Sequence, residues 1–100
     1  MPTTDRDQGA PDAEALLERL SEWPDGHFEG HFEGRRFGVT LHRSADGRRL
    51  WLYGEERGGG DFVSANLYRL GSGETLLRPC EMPAEVVAEF VLGFRPDRTR

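Results

Sequence analysis

Between Arg35 and Cys80 the chain alternates apolar and polar residues in four short runs, parted by glycine. The runs are Arg35–Arg43, Arg49–Glu55, Asp61–Leu70 and Glu74–Cys80. Asp46-Gly47, Gly58-Gly59-Gly60 and Gly71-Ser72-Gly73 separate them. Gaps this short favour antiparallel hairpins, because a parallel crossover needs a dozen or more residues. The alternation assigns Phe37, Val39, Leu41, Leu50, Leu52, Val63, Ala65, Leu67 and Leu76 to one sheet face. The other face then carries Thr40, His42, Trp51, Tyr53, Phe62, Ser64, Asn66 and Tyr68.

A different period brackets the strands. Ala13, Leu16, Leu17 and Leu20 recur at helical spacing, with Asp12 placed to cap the first turn and Glu14 suited to its dipole. Pro24 disfavours helical geometry at Trp23, so this helix ends near Ser21 or Glu22. At the other end Pro83 suits a helix start. Val86, Val87, Phe90, Val91 and Phe94 form the apolar stripe, Glu85 and Glu89 face water, and Gly93 and Pro96 are stop signals. The expected fold is one α+β domain over residues 11–95. It is an antiparallel meander of three to four strands between an N-terminal and a C-terminal helix, in the order α-β-β-β-(β)-α, with both helices on one sheet face. Residues 1–10 read as a disordered tail and residues 96–100 as a frayed one.

Residues 26–34 fit either a strand or an ordered loop. Gly26-His27-Phe28-Glu29 is repeated as Gly30-His31-Phe32-Glu33, followed by Gly34. An extended conformation turns His27, Glu29, His31 and Glu33 to one side and Phe28 and Phe32 to the other. The phenylalanines are even-numbered and Phe37, Val39 and Leu41 are odd, so a bulge or break near Gly34 must reconcile the two phases.

One hundred residues make one domain with a thin core. The formal charge of −5 is unevenly spread. Residues 1–34 hold nine acids and two arginines, a net of −7; residues 35–100 hold nine acids and eleven arginines, a net of +2. An acidic total argues against a dedicated nucleic-acid binder. All thirteen basic residues are arginine, a bias that fits a GC-rich bacterial genome. Cys80 has no intrachain partner, no signal peptide is visible, and no apolar run reaches the roughly 18 residues of a membrane span. These features imply a soluble cytoplasmic protein with no membrane partner.

Candidate chemistry is sparse. His27, Glu29, His31 and Glu33, with His42, offer nitrogen and oxygen ligands. In a strand, however, His27 and His31 stand about 13 Å apart by rise alone, too far to share a metal. Cys80 lies near Arg78 and a helix start, both of which favour a thiolate, while Glu81 opposes it. Without a placed base it reads as a buried, slowly reacting core filler. The triple glycine at 58–60 precedes a strand, not the helix that a phosphate loop requires. The order helix, three strands, helix resembles that of the double-stranded-RNA-binding domain. That family's second helix opens with a basic cluster, where this chain has Glu81, Glu85 and Glu89. Arg35, Arg36, Arg43, Arg48 and Arg49 beside sheet aromatics leave single-strand binding less excluded.

No motif calls for a cofactor or a reaction, and more in the chain argues against an enzyme than for one. The leading expectation is a small binding or regulatory module. Its proposed contact residues are Trp51, Tyr53, Phe62, Tyr68, His42 and Asn66, acting on a protein partner or on a second copy. The alternative is a small-molecule or metal-binding domain that uses the His27–Glu33 segment.

Overall fold

The computed structural model describes residues 12–97. The tail expected over residues 1–10 and the last three residues lie outside that range. Two helices, α1 (Ala13–Leu20) and α2 (Ala84–Gly93), accompany six strands. The strands are β1 (Gly26–Phe32), β2 (Arg35–Arg43), β3 (Arg49–Glu56), β4 (Phe62–Arg69), β5 (Thr75–Pro79) and β6 (Arg95–Pro96). They form one sheet in the order β5-β4-β3-β2-β1-β6. Every pairing is antiparallel.

The small α+β class with a hairpin meander is as expected, but the strand count is not. The Gly-His-Phe-Glu repeat is a full strand, β1, and the chain after α2 returns to pair Gly30 with Pro96 and His31 with Arg95. Order therefore runs past residue 95, and the Asp97 N–H donates to the Glu29 carbonyl at 2.9 Å. With six strands, the likeness in element order to the double-stranded-RNA-binding domain also ends.

The phase change at Gly34 is a hairpin turn and not a bulge. Glu33 (φ 52°) and Gly34 (φ 77°) both take positive φ, the combination that a two-residue type I′ turn requires. Reversal there pairs Phe28 with Val39 and Gly30 with Phe37. Even-numbered residues of β1 thus share a face with odd-numbered residues of β2.

That face holds the core. Phe37, Val39, Leu41, Leu50, Leu52, Val63, Ala65 and Leu67 bury into one cluster with Leu16, Leu20 and Trp23, and with Val87, Phe90, Val91 and Phe94. Both helices therefore cover the same side of the sheet. Phe28 and Phe32 pack against the cluster from β1. Trp23 sets its ring edge-on to Phe28 and Phe90, at centroid distances of 5.9 and 6.5 Å. Asp12 caps α1 as its chemistry demands, accepting from the backbone N–H of Glu14 at 3.1 Å. At the far end of α1, Arg43 donates to the Leu20 carbonyl at 2.7 Å and pairs with Asp25, anchoring the exit of the helix to β2.

Three core assignments need correction. Leu76 is exposed and Leu77 takes the inward place, because the turn that closes with Leu70 N–H on the Glu74 carbonyl sets Leu67 opposite Leu77. Val86 is exposed, since Val87, Phe90, Val91 and Phe94 already fill the width that α2 can bury. Leu17 is only partly buried, at the edge of a stripe whose centre is Leu16 and Leu20.

Candidate interaction face

The register sends a second set of residues to the side away from the helices. One row across the sheet reads His42, Trp51, Asn66 and Arg78; the next reads His27, Thr40, Tyr53 and Ser64. Phe62 stands beside Glu55, and Tyr68 between Arg49 and Leu76. All six proposed contact residues, Trp51, Tyr53, Phe62, Tyr68, His42 and Asn66, therefore share one sheet face. Alternation along strands with short turns is the reason.

The face brings three of them into a stack. The Trp51 and Tyr53 rings lie 5.9 Å apart at 8°. Tyr53 and Phe62, diagonal neighbours on adjacent strands, lie 6.3 Å apart at 30°. Trp51 and Phe62, on either side of Tyr53, remain 36% and 43% exposed, so the stack forms a contiguous apolar patch open to water. The Tyr53 hydroxyl donates to Glu55 Oε1 at 3.3 Å, which orients the ring.

Tyr68 and Asn66 are not part of the stack. They line an open depression of about 480 Å³ with Leu76, Arg78 and Cys80. Cys80 is half-exposed and free, and does not fill the core as expected. The cause is register: the Cys80 N–H donates to the Ser64 carbonyl at 2.9 Å, which continues β5 onto the open side. Its Sγ lies 4.0 Å from Asn66 Nδ2.

At the β1–β2 end the same face becomes an ion network that sequence reasoning missed. Arg57 follows β3 and crosses β2 to reach β1. It donates to Glu29 through Nε at 3.2 Å and Nη2 at 2.7 Å, and to Glu55 at 3.2 Å. Its path runs over Gly38, where a Cβ would collide with the guanidinium. Arg36 donates to Asp97 at 3.0 Å, and His31 Nδ1 lies 3.3 Å from the same carboxylate. The Arg57 hydrogen bonds, aided by His27, hold the Glu29 carboxyl down at about 2, against the smaller opposing effect of desolvation. Arg57 is pushed up in turn by Glu29. A glycine in mid-strand opposite an acid on the neighbouring strand was the available signal.

These contacts also describe the His27–Glu33 segment. His27 bridges Thr40 Oγ1 at 3.1 Å and Glu29 Oε2 at 3.2 Å. Glu33 sits in the hairpin turn facing Arg35 at 3.5 Å. Among the described residues no three His, Cys, Asp or Glu side chains are grouped to hold a metal ion. No helix among them is long and apolar enough to cross a membrane. No family model, curated protein or solved structure matches the chain. The geometry of the face is thus what a functional reading must stand on.

Proposed function

We propose that the protein is a small binding module whose aromatic sheet face docks against a second copy of the same chain. The observation that carries this reading is the exposed stack of Trp51, Tyr53 and Phe62 on a sheet whose two helices both lie on the other side. Aromatic rings with polar tips, a depleted charge at the centre and a charged rim are the composition of an interface core.

The face is also complementary to itself. Along β3 its outward residues run Arg49, Trp51, Tyr53, Glu55. A two-fold axis lying between the two sheets, opposite Leu52 and perpendicular to the strands, lays β3 antiparallel over its copy, with Arg49 facing Glu55 and Trp51 facing Tyr53. Such a pairing makes a β-sandwich with the aromatic rings as its filling. Five strands about 4.8 Å apart, with a rise of roughly 3.3 Å per residue, give a face on the order of 600 Å². That approaches the roughly 800 Å² per partner of a standard interface. A dimer would also relieve the thin core of so short a chain. The lone, half-exposed Cys80 supports a reducing, cytoplasmic setting. The acidic total supports a protein partner over a nucleic acid.

Sedimentation equilibrium tests the reading. Dimerisation in the micromolar range that Trp51→Ala weakens roughly thirtyfold is the expected result. A wild-type chain that stays monomeric up to about 1 mM, where even an association of only about 4 kcal/mol would be visible, would remove it.

A further inference from the structure

We infer that a second site, on the helix side of the sheet, binds a small phosphate monoester. It is a cleft of about 200 Å³ between the end of α1 and the ends of β2, β3 and β4. Leu17, Leu50 and Leu67 contribute its apolar lining and Arg43, Arg48 and Arg69 its cations, while Arg49 borders it from a strand position whose side chain belongs to the other face. Among the described residues no carboxylate lines it.

The arginines are brought together by register and not by sequence proximity. Arg43 pairs with Leu50, and the Arg69 N–H donates to the Arg48 carbonyl at 2.8 Å. Arg43 and Arg69 share the parity of Leu41 and Leu67 on β2 and β4, and Arg48, in the turn just before β3, continues the parity of Leu50 opposite Arg69, so all three belong to the helix-side face at one end of the sheet. Neighbouring strands are about 4.8 Å apart, a spacing that lets guanidinium groups converge on one phosphate.

Their present partners differ. Arg43 is committed to the Leu20 carbonyl and to Asp25. Among the described residues Arg48 has no carboxylate within salt-bridge distance, and Arg69 has only Glu14 at 3.9 Å. Asp46, the acid of the adjoining turn, accepts through one oxygen, Oδ1, from the Arg48 N–H at 3.0 Å and the Ser44 hydroxyl at 2.7 Å, and is the nearby negative charge that Arg48 feels without pairing with it. Gathering arginines whose counter-charges are this few and, for Arg48 and Arg69, this loosely placed is unfavourable, and a bound anion relieves it. Arg48 and Arg69 supply planar, bidentate donors suited to phosphate oxygens. The leucine lining suits an apolar group on the ester side, and the volume admits a phosphoryl group plus a ring but no polymer strand. The ligand class is accordingly a phosphate monoester with a compact apolar part.

Phenyl phosphate is the probe, titrated into the full chain with backbone amide shifts as the readout and inorganic phosphate and phenol as its two halves. Expected are shifts clustered at Leu17, Arg48, Leu67 and Arg69, tighter binding of phenyl phosphate than of inorganic phosphate, and none of phenol. The R48Q/R69Q double variant should lose at least tenfold in affinity. R78Q/R95Q also removes two charges, from the opposite sheet face, and should change it less than twofold. Equal losses in R78Q/R95Q and in R48Q/R69Q would show a diffuse charge effect and overturn the site, as would the absence of clustered shifts at millimolar phenyl phosphate. Better binding of inorganic phosphate than of its phenyl ester would overturn the apolar half. The site lies across the sheet from the aromatic stack, so weakened dimerisation in Trp51→Ala leaves this result unaffected.

Discussion

A Cβ at Gly38 would occupy the space through which Arg57 reaches Glu29. Gly38→Ala should therefore break the bridge without touching the core. The matching pH effect has a definite sign. Glu29 has its pKa lowered from 4.5 to about 2, chiefly by the Arg57 hydrogen bonds. A depressed carboxyl stabilises the folded state fully above its unfolded value and loses that contribution as pH falls through the folded one. The denaturant midpoint of Glu29→Gln should thus lie below that of the parent at about pH 6, and the gap should close as pH falls from about 4.5 towards 2. The gap should be small and salt-sensitive, since the pair is screened by solvent. A gap that persists at pH 2 would mean Glu29 acts through packing instead. Trp51 belongs to the same face and to a different test. An aromatic anchor contributes about 2 kcal/mol or more, so Trp51→Ala should weaken association roughly thirtyfold. It should leave the unfolding midpoint nearly in place, because the ring stands on the outer face.

Helix α1 has only 8 residues, too few to be stable alone. Its hold on the sheet is the burial of Leu16 and Leu20, with Trp23 just beyond. Leu16→Ala should cost about 2–5 kcal/mol, and Leu17→Ala clearly less, measured as the shift of the urea transition. Equal costs would mean the helix is rotated from the position described. Phe90→Ala should cost about 3–5 kcal/mol, since that ring meets Trp23, Phe32, Phe37 and Phe94. The short strand β6 depends on one close approach. At Gly30 an added Cβ would overlap the Phe94 ring and the Arg95 carbonyl. Gly30→Ala should cost about 1–3 kcal/mol and free the Arg95 and Asp97 amides to exchange. Retained protection at those amides would show that β1 and β6 can part slightly without separating.

At the scale of the whole molecule the two sheet faces do different work. One is spent on both helices; the other keeps its rings in water. The charge order along β3 gives the proposed dimer its sharpest test. Arg49→Glu should weaken association, as should Glu55→Arg. The double swap should restore it, because the two-fold axis places each charge opposite the other. Additive losses in the double variant would rule out that geometry while leaving the aromatic face open to another partner. At higher salt the single variants should approach the parent, as rim charges are screened.

The two helices, four of the strands and the division of Trp51, Tyr53, Phe62 and Tyr68 from Phe37, Val39 and Leu41 were legible in the chain, because strand alternation and helical spacing are local properties. Adjacent apolar residues defeated the same reasoning: in Leu76-Leu77 parity does not say which one points inward, and the turn at Leu70–Glu74 decided it. Strand β6 has no period of its own at two residues and exists only because Gly30 lets Phe94 come close. Arg57 meets Glu29, and Arg48 meets Arg69, across distances of chain that no local pattern spans. Short-range periodicity thus determined which residues face which way. The three-dimensional fold alone decided which faces are covered and which charges meet, since both depend on contacts between residues remote in sequence.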